Sequence, residues 1–345
     1  MRRGRIALAL VALILIGGAV AGYGVLRALR SLDAPIALQA PLRFEIAPGE
    51  RLSQVAKDLA QRGVLEEPRA WVLYARLEKQ AGSIKAGEYQ IEPQTTPRAL
   101  LEKLVSGQVL LHSFTIVDGW RVEDLLAALR HDGDLLVMLP AAPEHLMQSL
   151  GYPEGEAEGQ FLPETYRFAL HTRDVEVLRE AHELLVKTLD AEWAARDPSI
   201  PLHTPEELLI MASIVEKESG VPGELGRIAG LYLNRLSIGM RLQADPTVIY
   251  GLGDRYDGEL HTVDLRTDGP YNTYTRAGLP PTPIALPGAA ALHATAHPEK
   301  TDALYFVASG KSDGSHVFSH TLEQHNLAVA QYLARQRHKA SETPP

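Results

Sequence analysis

Hydrophobic and polar positions change period several times along this chain, and each change predicts an element. Residues 6–26 are an apolar run of 21 residues without a charged side chain. At 1.5 Å per residue, a helix of that length covers about 30 Å, the thickness of a bilayer's hydrocarbon core. A short linker (27–41) follows. Leu42, Phe44 and Ile46 then alternate with Arg43 and Glu45, which is the period of a strand. Pro48-Gly49 makes a turn, and Leu52, Val55, Ala56 and Leu59 recur at helical spacing until Gly63. A second helix is predicted over 68–77, a returning strand in KAGEYQIEP, and a third helix that opens at Pro97 and closes at Gly107. Residues 42–110 therefore form a small α+β unit.

Beyond residue 110 the pattern predicts a strand over 113–117, a helix over 122–129 and a long amphipathic helix over 175–195, with an aromatic, proline-containing loop at 159–166 between them. The most informative segment is HTPEELLIMASIVEKESG. Thr204 is an N-cap with Glu207 three residues later, Pro205 takes the first helical position, and Gly220 stands where a terminating glycine belongs. Leu208, Met211, Ala212, Ile214 and Val215 cluster on one side of this helix, with Ser213 and Lys217 on the other. Glu218 lies within roughly 60° of the apolar centre and Glu216 roughly 100° away. Two residues apart, they cannot face the same cleft. A carboxyl beside an apolar stripe is desolvated, which raises its pKa and keeps it protonated for use as a general acid.

Charge sharpens the picture. The chain has 345 residues and a formal net charge of −9. Residues 1–32 hold Arg2, Arg3, Arg5, Arg27 and Arg30 and no acid, so the remainder stands at −14. Nucleic acid rewards a basic face, and this acidic body excludes it as a partner. With no cysteine, the chain has no disulfide framework, thiolate nucleophile or cysteine metal site. Arg2, Arg3 and Arg5 ahead of the apolar run place residues 1–5 in the cytoplasm and the large C-terminal part outside. The competing reading is a cleaved signal peptide, with Ala19-Val20-Ala21 as its processing site; the 21-residue run is longer than an ordinary signal core and favours an uncleaved anchor.

Downstream of Glu218 lies a loop-rich region of polar aromatics, amides and Pro-Gly turns, of the kind that suits a sugar groove. Gln243, Asp245, Tyr271, Asn272 and Tyr274 are its candidate wall residues, with Asn272 proposed to orient an acetamido group. His293/His297 and His316/His320 show H-x-x-x-H spacing, but neither pair carries the glutamate of H-E-x-x-H, and no metal or other cofactor is expected.

The blocks IVEKES, NRL, GMRLQADPTVIYG, YNTY, GLPPTPIALPG, AHP and YFVA follow one another in that order. They resemble the YceG-like family of endolytic murein transglycosylases over nearly the whole chain, most strongly from 160 to 330. The resemblance implies that the second Glu of E-K-E, Glu218, is catalytic; Ser219 after it is similar to the Glu-Ser pair of other lytic transglycosylases. His316 and His325, in the blocks SHVF and EQHN, also fall at positions similar to the family's. The implied reaction cuts the β-1,4 bond between N-acetylmuramic acid and N-acetylglucosamine and leaves a 1,6-anhydro end. The implied partners are peptidoglycan glycan strands, the inner membrane and the synthase whose nascent strands are cut. Two other readings are a catalytically silent peptidoglycan-binding scaffold and a hydrolytic muramidase, the latter needing Asp245 or Glu164 as a second carboxylate. The strand–Pro-Gly–helix opening of residues 42–110 resembles a LysM module, a glycan-binding fold of cell-wall proteins. The expected fold is α+β: a cytoplasmic tail (1–5), a single N-terminal transmembrane helix (6–26), the LysM-like domain (42–110), a mixed α/β catalytic domain on the periplasmic side (111–337) and a flexible tail (338–345).

Overall fold

Alternating and helical periods in residues 42–106 fold as they are written. The computed structural model describes residues 2–342 except Ala141, Glu154 and Ser219; side chains within 2–14, at 20, 21 and 222, and beyond 337 lie outside that description. Contacts divide the chain into two units, the first of residues 1–112 with 167–171 and the second of 113–166 with 172–345.

The first unit begins with α1 (Arg2–Asp33) and continues through β1 (Leu42–Ile46), α2 (Leu52–Gln61), α3 (Pro68–Leu77), β2 (Gly87–Ile91) and α4 (Pro97–Ser106). β1 and β2 pair antiparallel with Phe44 opposite Tyr89. Phe44, Val55, Leu59, Trp71, Tyr89 and Leu104 form its core, and Leu32 from the end of α1 joins them. The indole N–H of Trp71 donates to the Pro97 carbonyl at 2.7 Å, so its one polar atom is satisfied in the interior. α4 opens as its sequence predicts: Thr96 Oγ1 accepts from Ala99 N–H, Pro97 sits in the first turn, and Gly107 ends the helix at φ +74°. Among the described residues, no helix is long and apolar enough to cross a membrane. Residues 6–14, 20 and 21 of the expected anchor lie outside the described side chains.

From residue 111 onward come β3 (Leu111–Thr115), α5 (Val122–His131), β4 (Leu135–Leu136), α6 (Leu146–Ser149), β5 (Thr165–Ala169) and β6 (Thr172–Arg173). The helices α7 (Asp174–Ala195), α8 (Pro205–Glu218), α9 (Leu225–Ser237), α10 (Asp245–Leu252) and α11 (Thr262–Arg266) follow, then α12 (Ala289–Ala296), the strands β7 (Tyr305–Ala308) and β8 (His316–Ser319), and α13 (Leu322–Glu342). The second unit is helix-dominated, with α8 packed against α7, α9, α10 and α12. Among the described residues, strands enter only as short pairs, such as the antiparallel β7–β8 hairpin with Phe306 opposite Phe318. α13 runs on to Glu342, past the end expected for the domain at 337.

Three details of α8 differ from the pattern. Its capping box is reciprocal but staggered: Glu207 N–H donates to Thr204 Oγ1, while the Glu207 carboxylate accepts from His203 N–H rather than from Thr204. All eight residues from Leu208 to Val215 are buried, so the helix has no solvent face over that span. Ser213, expected on the polar side, is fully enclosed. Its hydroxyl donates to Ile210 O (2.7 Å) and accepts from Ile284 N–H (3.0 Å), which satisfies it and fastens the proline-rich 280–287 loop to α8.

Candidate active site

Four neighbouring helices hold α8 in place, and Glu218 is its last residue. There it opens onto a cleft of about 380 Å³ shared with Tyr232, Arg235, Gln243, Asp245 and Tyr274. Residues from the C-terminal hairpin and α13 also line it, His325 among them. Two roomier hollows, of about 430 and 740 Å³, lie on the first unit, and neither contains a buried carboxylate. Size therefore does not pick out the chemistry; the acid does.

Glu218 as a residue is partly buried because the cleft is open, but its carboxyl group is surrounded by protein atoms. Burial pushes its pKa from 4.5 up to about 7. Three neighbours adjust that effect. The Tyr232 hydroxyl donates to Oε1 at 2.6 Å and favours the carboxylate, nearby Asp245 disfavours it, and Arg235 favours it again. Tyr232 and Arg235 stand three residues apart on α9, on one face of the helix. Arg235 is 6% exposed and rigidly held, its guanidinium donating to Leu304 O (2.6 Å) and Leu242 O. This is an acid tuned to hold a proton near neutrality, with a donor and a cation ready to stabilise the anion once the proton leaves.

Asp245 starts α10, and Tyr274 donates its hydroxyl to Asp245 Oδ1 at 2.5 Å. Gln243, just before α10, takes φ +52°, and its N–H donates to Thr273 O. A non-glycine residue in this region is uncommon and marks a site where surroundings dictate the backbone. The His325 ring stacks on Tyr305 with centroids 5.4 Å apart. Burial first, and Arg235 second, lower its pKa from the ordinary imidazole value.

The family-model match and the relatives bear on this geometry. The model of the YceG-like family matches residues 44–331. The chain belongs to the YceG-like family. An endolytic murein transglycosylase of Bacillus subtilis (strain 168) is 31% identical to this YceG-like chain, over 94% of this chain and 93% of the relative. One from Streptococcus pneumoniae (strain R6) is 26% identical over 84% of this chain, which spans 58% of that relative's length. A Listeria monocytogenes protein described as YceG-like, solved by crystallography at 2.6 Å, superposes with a TM-score of 0.52 at 27% identity, covering 83% of this chain and 98% of that one.

Of the wall residues predicted from sequence, this YceG-like fold brings Gln243, Asp245 and Tyr274 together with Glu218. It places Tyr271 and Asn272 elsewhere. Tyr271 bonds Thr282 at 2.8 Å, packs edge-on to Tyr250 and lines a separate hollow of about 240 Å³. Asn272 is 5% exposed; its amide nitrogen donates to the carbonyls of Asp264, Leu265 and Thr267, and its oxygen accepts from Tyr274 N–H. Both amide hydrogens staple the loop and the side chain is buried away from the cleft, so it does not reach a sugar there, though the staple positions Tyr274. Glu216 sits off the cleft and accepts from Gly288 N–H at 3.0 Å. His316 is bonded through Nδ1 to Glu224 at 2.7 Å and is likewise absent from the cleft. Ser219 lies outside the described residues. Tyr232 and Arg235 were not named as wall residues from sequence; the signals available were the NRL block, which contains Arg235, and the i, i+3 spacing of the two on the helix that follows α8.

Proposed function

We propose that this chain is a membrane-anchored endolytic murein transglycosylase with Glu218 as its one acid–base group. The single observation that carries the reading is a desolvated carboxyl, lifted to about 7, at the wall of a polar cleft. The names of the relatives support the reaction class. Protonated Glu218 donates to the glycosidic oxygen as the bond to the muramic C1 breaks. The resulting carboxylate, held by Tyr232 and Arg235, takes the proton of the muramic C6 hydroxyl, which closes on C1 as a 1,6-anhydro ring. No water is consumed, and the proton returns to Glu218. The nucleophile belongs to the same sugar, so most of its positional entropy is already lost before reaction. Asp245, oriented by Tyr274, supplies negative charge beside the positive character that develops at C1.

The finer placement belongs to the same proposal. Residues 6–26 span the inner membrane with residues 1–5 in the cytoplasm and both units in the periplasm, which confines cutting to nascent strands near a synthase. The hollow of about 430 Å³ on the first unit lies between the β1–α2 turn (Gly49, Glu50, Arg51) and the α3–β2 connection (Gly82, Ile84), and we assign it to glycan. The strand–helix–helix–strand order of that unit supports its LysM-like reading.

The test is incubation of the full chain in detergent with uncrosslinked glycan strands, followed by product mass analysis. The expected product carries an anhydro end, one water lighter than a hydrolysed end. Glu218→Gln is expected to abolish it while circular dichroism stays native. Products that retain the water would favour the muramidase reading, for which Asp245 in the same cleft is the second carboxylate. Strand binding without any product would favour the scaffold.

A further inference from the structure

Away from the cleft, α7 and α12 pack side by side and bring together three side chains that the reaction does not use. His293 and His297 stand one turn apart at the end of α12, with their rings 4.6 Å apart. Glu192, near the end of α7, points one carboxylate oxygen at both. Its Oε2 lies 3.1 Å from His293 Nδ1 and 3.3 Å from His297 Nε2. The donor atoms of all three residues fall within 4.8 Å of one another.

We propose that Glu192, His293 and His297 form a binding site for a divalent transition-metal ion, Zn²⁺ or a close analogue. Bonds of about 2.0–2.1 Å to nitrogen and 2.0–2.2 Å to oxygen, set at a tetrahedral angle, hold neighbouring donor atoms roughly 3.3 Å apart. The two Glu192–His separations already have that value. A small inward movement of the rings therefore replaces the His293–Glu192 hydrogen bond and the close approach of His297 to Glu192 with three metal bonds. Two imidazoles and one carboxylate suit Zn²⁺, Co²⁺, Ni²⁺ or Cu²⁺ and discriminate against Mg²⁺ and Ca²⁺, which take all-oxygen sets. The site is built from fixed backbone: His297 N–H donates to His293 O at 2.8 Å, which completes the helical turn that aims both rings the same way. The carboxylate is mostly shielded, with 21% of its side chain exposed, while His293 is 65% exposed and leaves an entry path and a coordination position for water. With three protein ligands the ion clasps α7 to α12, the helix that also packs on α8. The role is structural and lies within the catalytic unit.

The sequence alone argued against this site. His293/His297 lacks the glutamate of H-E-x-x-H, and the third ligand comes from 101 residues earlier in the chain. The test uses the full chain in detergent, freed of metal by chelation and then titrated with Co²⁺ followed by visible absorption, and with Zn²⁺ followed by calorimetry and thermal unfolding. One ion per chain is expected, with a Co²⁺ ligand-field band, a rise in unfolding temperature with Zn²⁺ and none with Mg²⁺. His293→Ala, His297→Ala and Glu192→Gln are each expected to weaken Zn²⁺ binding at least about tenfold. All three positions are at or near the surface, so the variants should fold, and His131→Ala, at an exposed histidine on α5, should bind as the unaltered chain does. Absence of a one-to-one Zn²⁺ isotherm, or an isotherm that survives His297→Ala, overturns the proposal.

Discussion

At the scale of single residues, the proposed chemistry rests on where one proton resides. Glu218 gains its proton affinity from burial, and Tyr232 works against that gain by donating to Oε1. The rate of anhydro-product formation should fall as pH rises through about 7, because the acid form is consumed. Removing the hydroxyl in Tyr232→Phe takes away a bond that favours the carboxylate. The descending limb should then move to higher pH, and kcat should drop by about 10- to 100-fold, the worth of a hydrogen bond to a charged group. A pH–rate profile of the two proteins checks both. The same proton governs stability. A folded-state pKa raised from 4.5 to about 7 contributes stability that is fully present below pH 4.5 and is lost as pH rises through 7. That loss amounts to about 3 kcal/mol at roughly 1.4 kcal/mol per pH unit. Glu158, 8% exposed, is also lifted to about 7 by burial and adds its own loss in either protein. In urea unfolding at pH 4.5 and 8, Glu218→Gln should therefore be the less pH-sensitive of the two, and equal pH dependence would contradict a buried acid at 218. The position of Glu218 on the apolar edge of its helix was legible in the sequence. The partners that set its proton affinity were not, because Tyr232, Arg235 and Asp245 reach it only through tertiary contact.

At the scale of elements, the helix bearing the acid depends on its neighbours more than on its own periodicity. α9 carries Tyr232 and Arg235, and its Gly230 fits against the chain at 299–301. A Cβ there would meet the Glu299 carbonyl oxygen at 2.4 Å and Thr301 Cγ2 at 3.0 Å. Neither obstacle is a flexible chain end, so Gly230→Ala should cost about 1–3 kcal/mol and tilt the face that presents Tyr232. Chemical denaturation should show the destabilisation, together with a loss of activity larger than a surface alanine would cause. Ser213 teaches the complementary lesson. Periodicity assigns one solvent face to a helix and puts a serine there, but α8 is enclosed over its middle and the serine instead bridges two elements. Caps and turns were legible for α4 and almost so for α8, since those motifs are local hydrogen bonds between residues a few positions apart. Asn272 marks the limit. Its residue type suited a sugar, and only the folded loop reveals that backbone carbonyls occupy it.

At the scale of the whole molecule, charge is distributed along the chain in the way the proposed topology requires, with arginines and no acid in residues 1–32 and −14 over the rest. Leu32 is buried in the core of the first unit and Asp33 pairs with Arg98, so the apolar run can be removed only ahead of these residues. Deleting residues 1–26 should move the protein from the membrane to the soluble fraction, leave kcat on free strands unchanged and abolish strand shortening in cells. Fractionation and glycan-length analysis distinguish this from a soluble enzyme, for which the deletion would change neither. By itself the sequence determined the elements of the first unit and their βααβ pattern, the bounds of α8, the family and the place of Glu218 on the apolar edge of that helix, because periodicity, capping and motif spacing are properties of neighbouring positions; the stretch after Glu218, which it presented as loop-rich, folds instead into α9 to α12. The tertiary structure alone decided which wall residues share the cleft with that acid, why Tyr271 and Asn272 do not, and how Glu192 comes to stand between two histidines far along the chain. Those meetings depend on the packing of helices distant in sequence, and no local period encodes them.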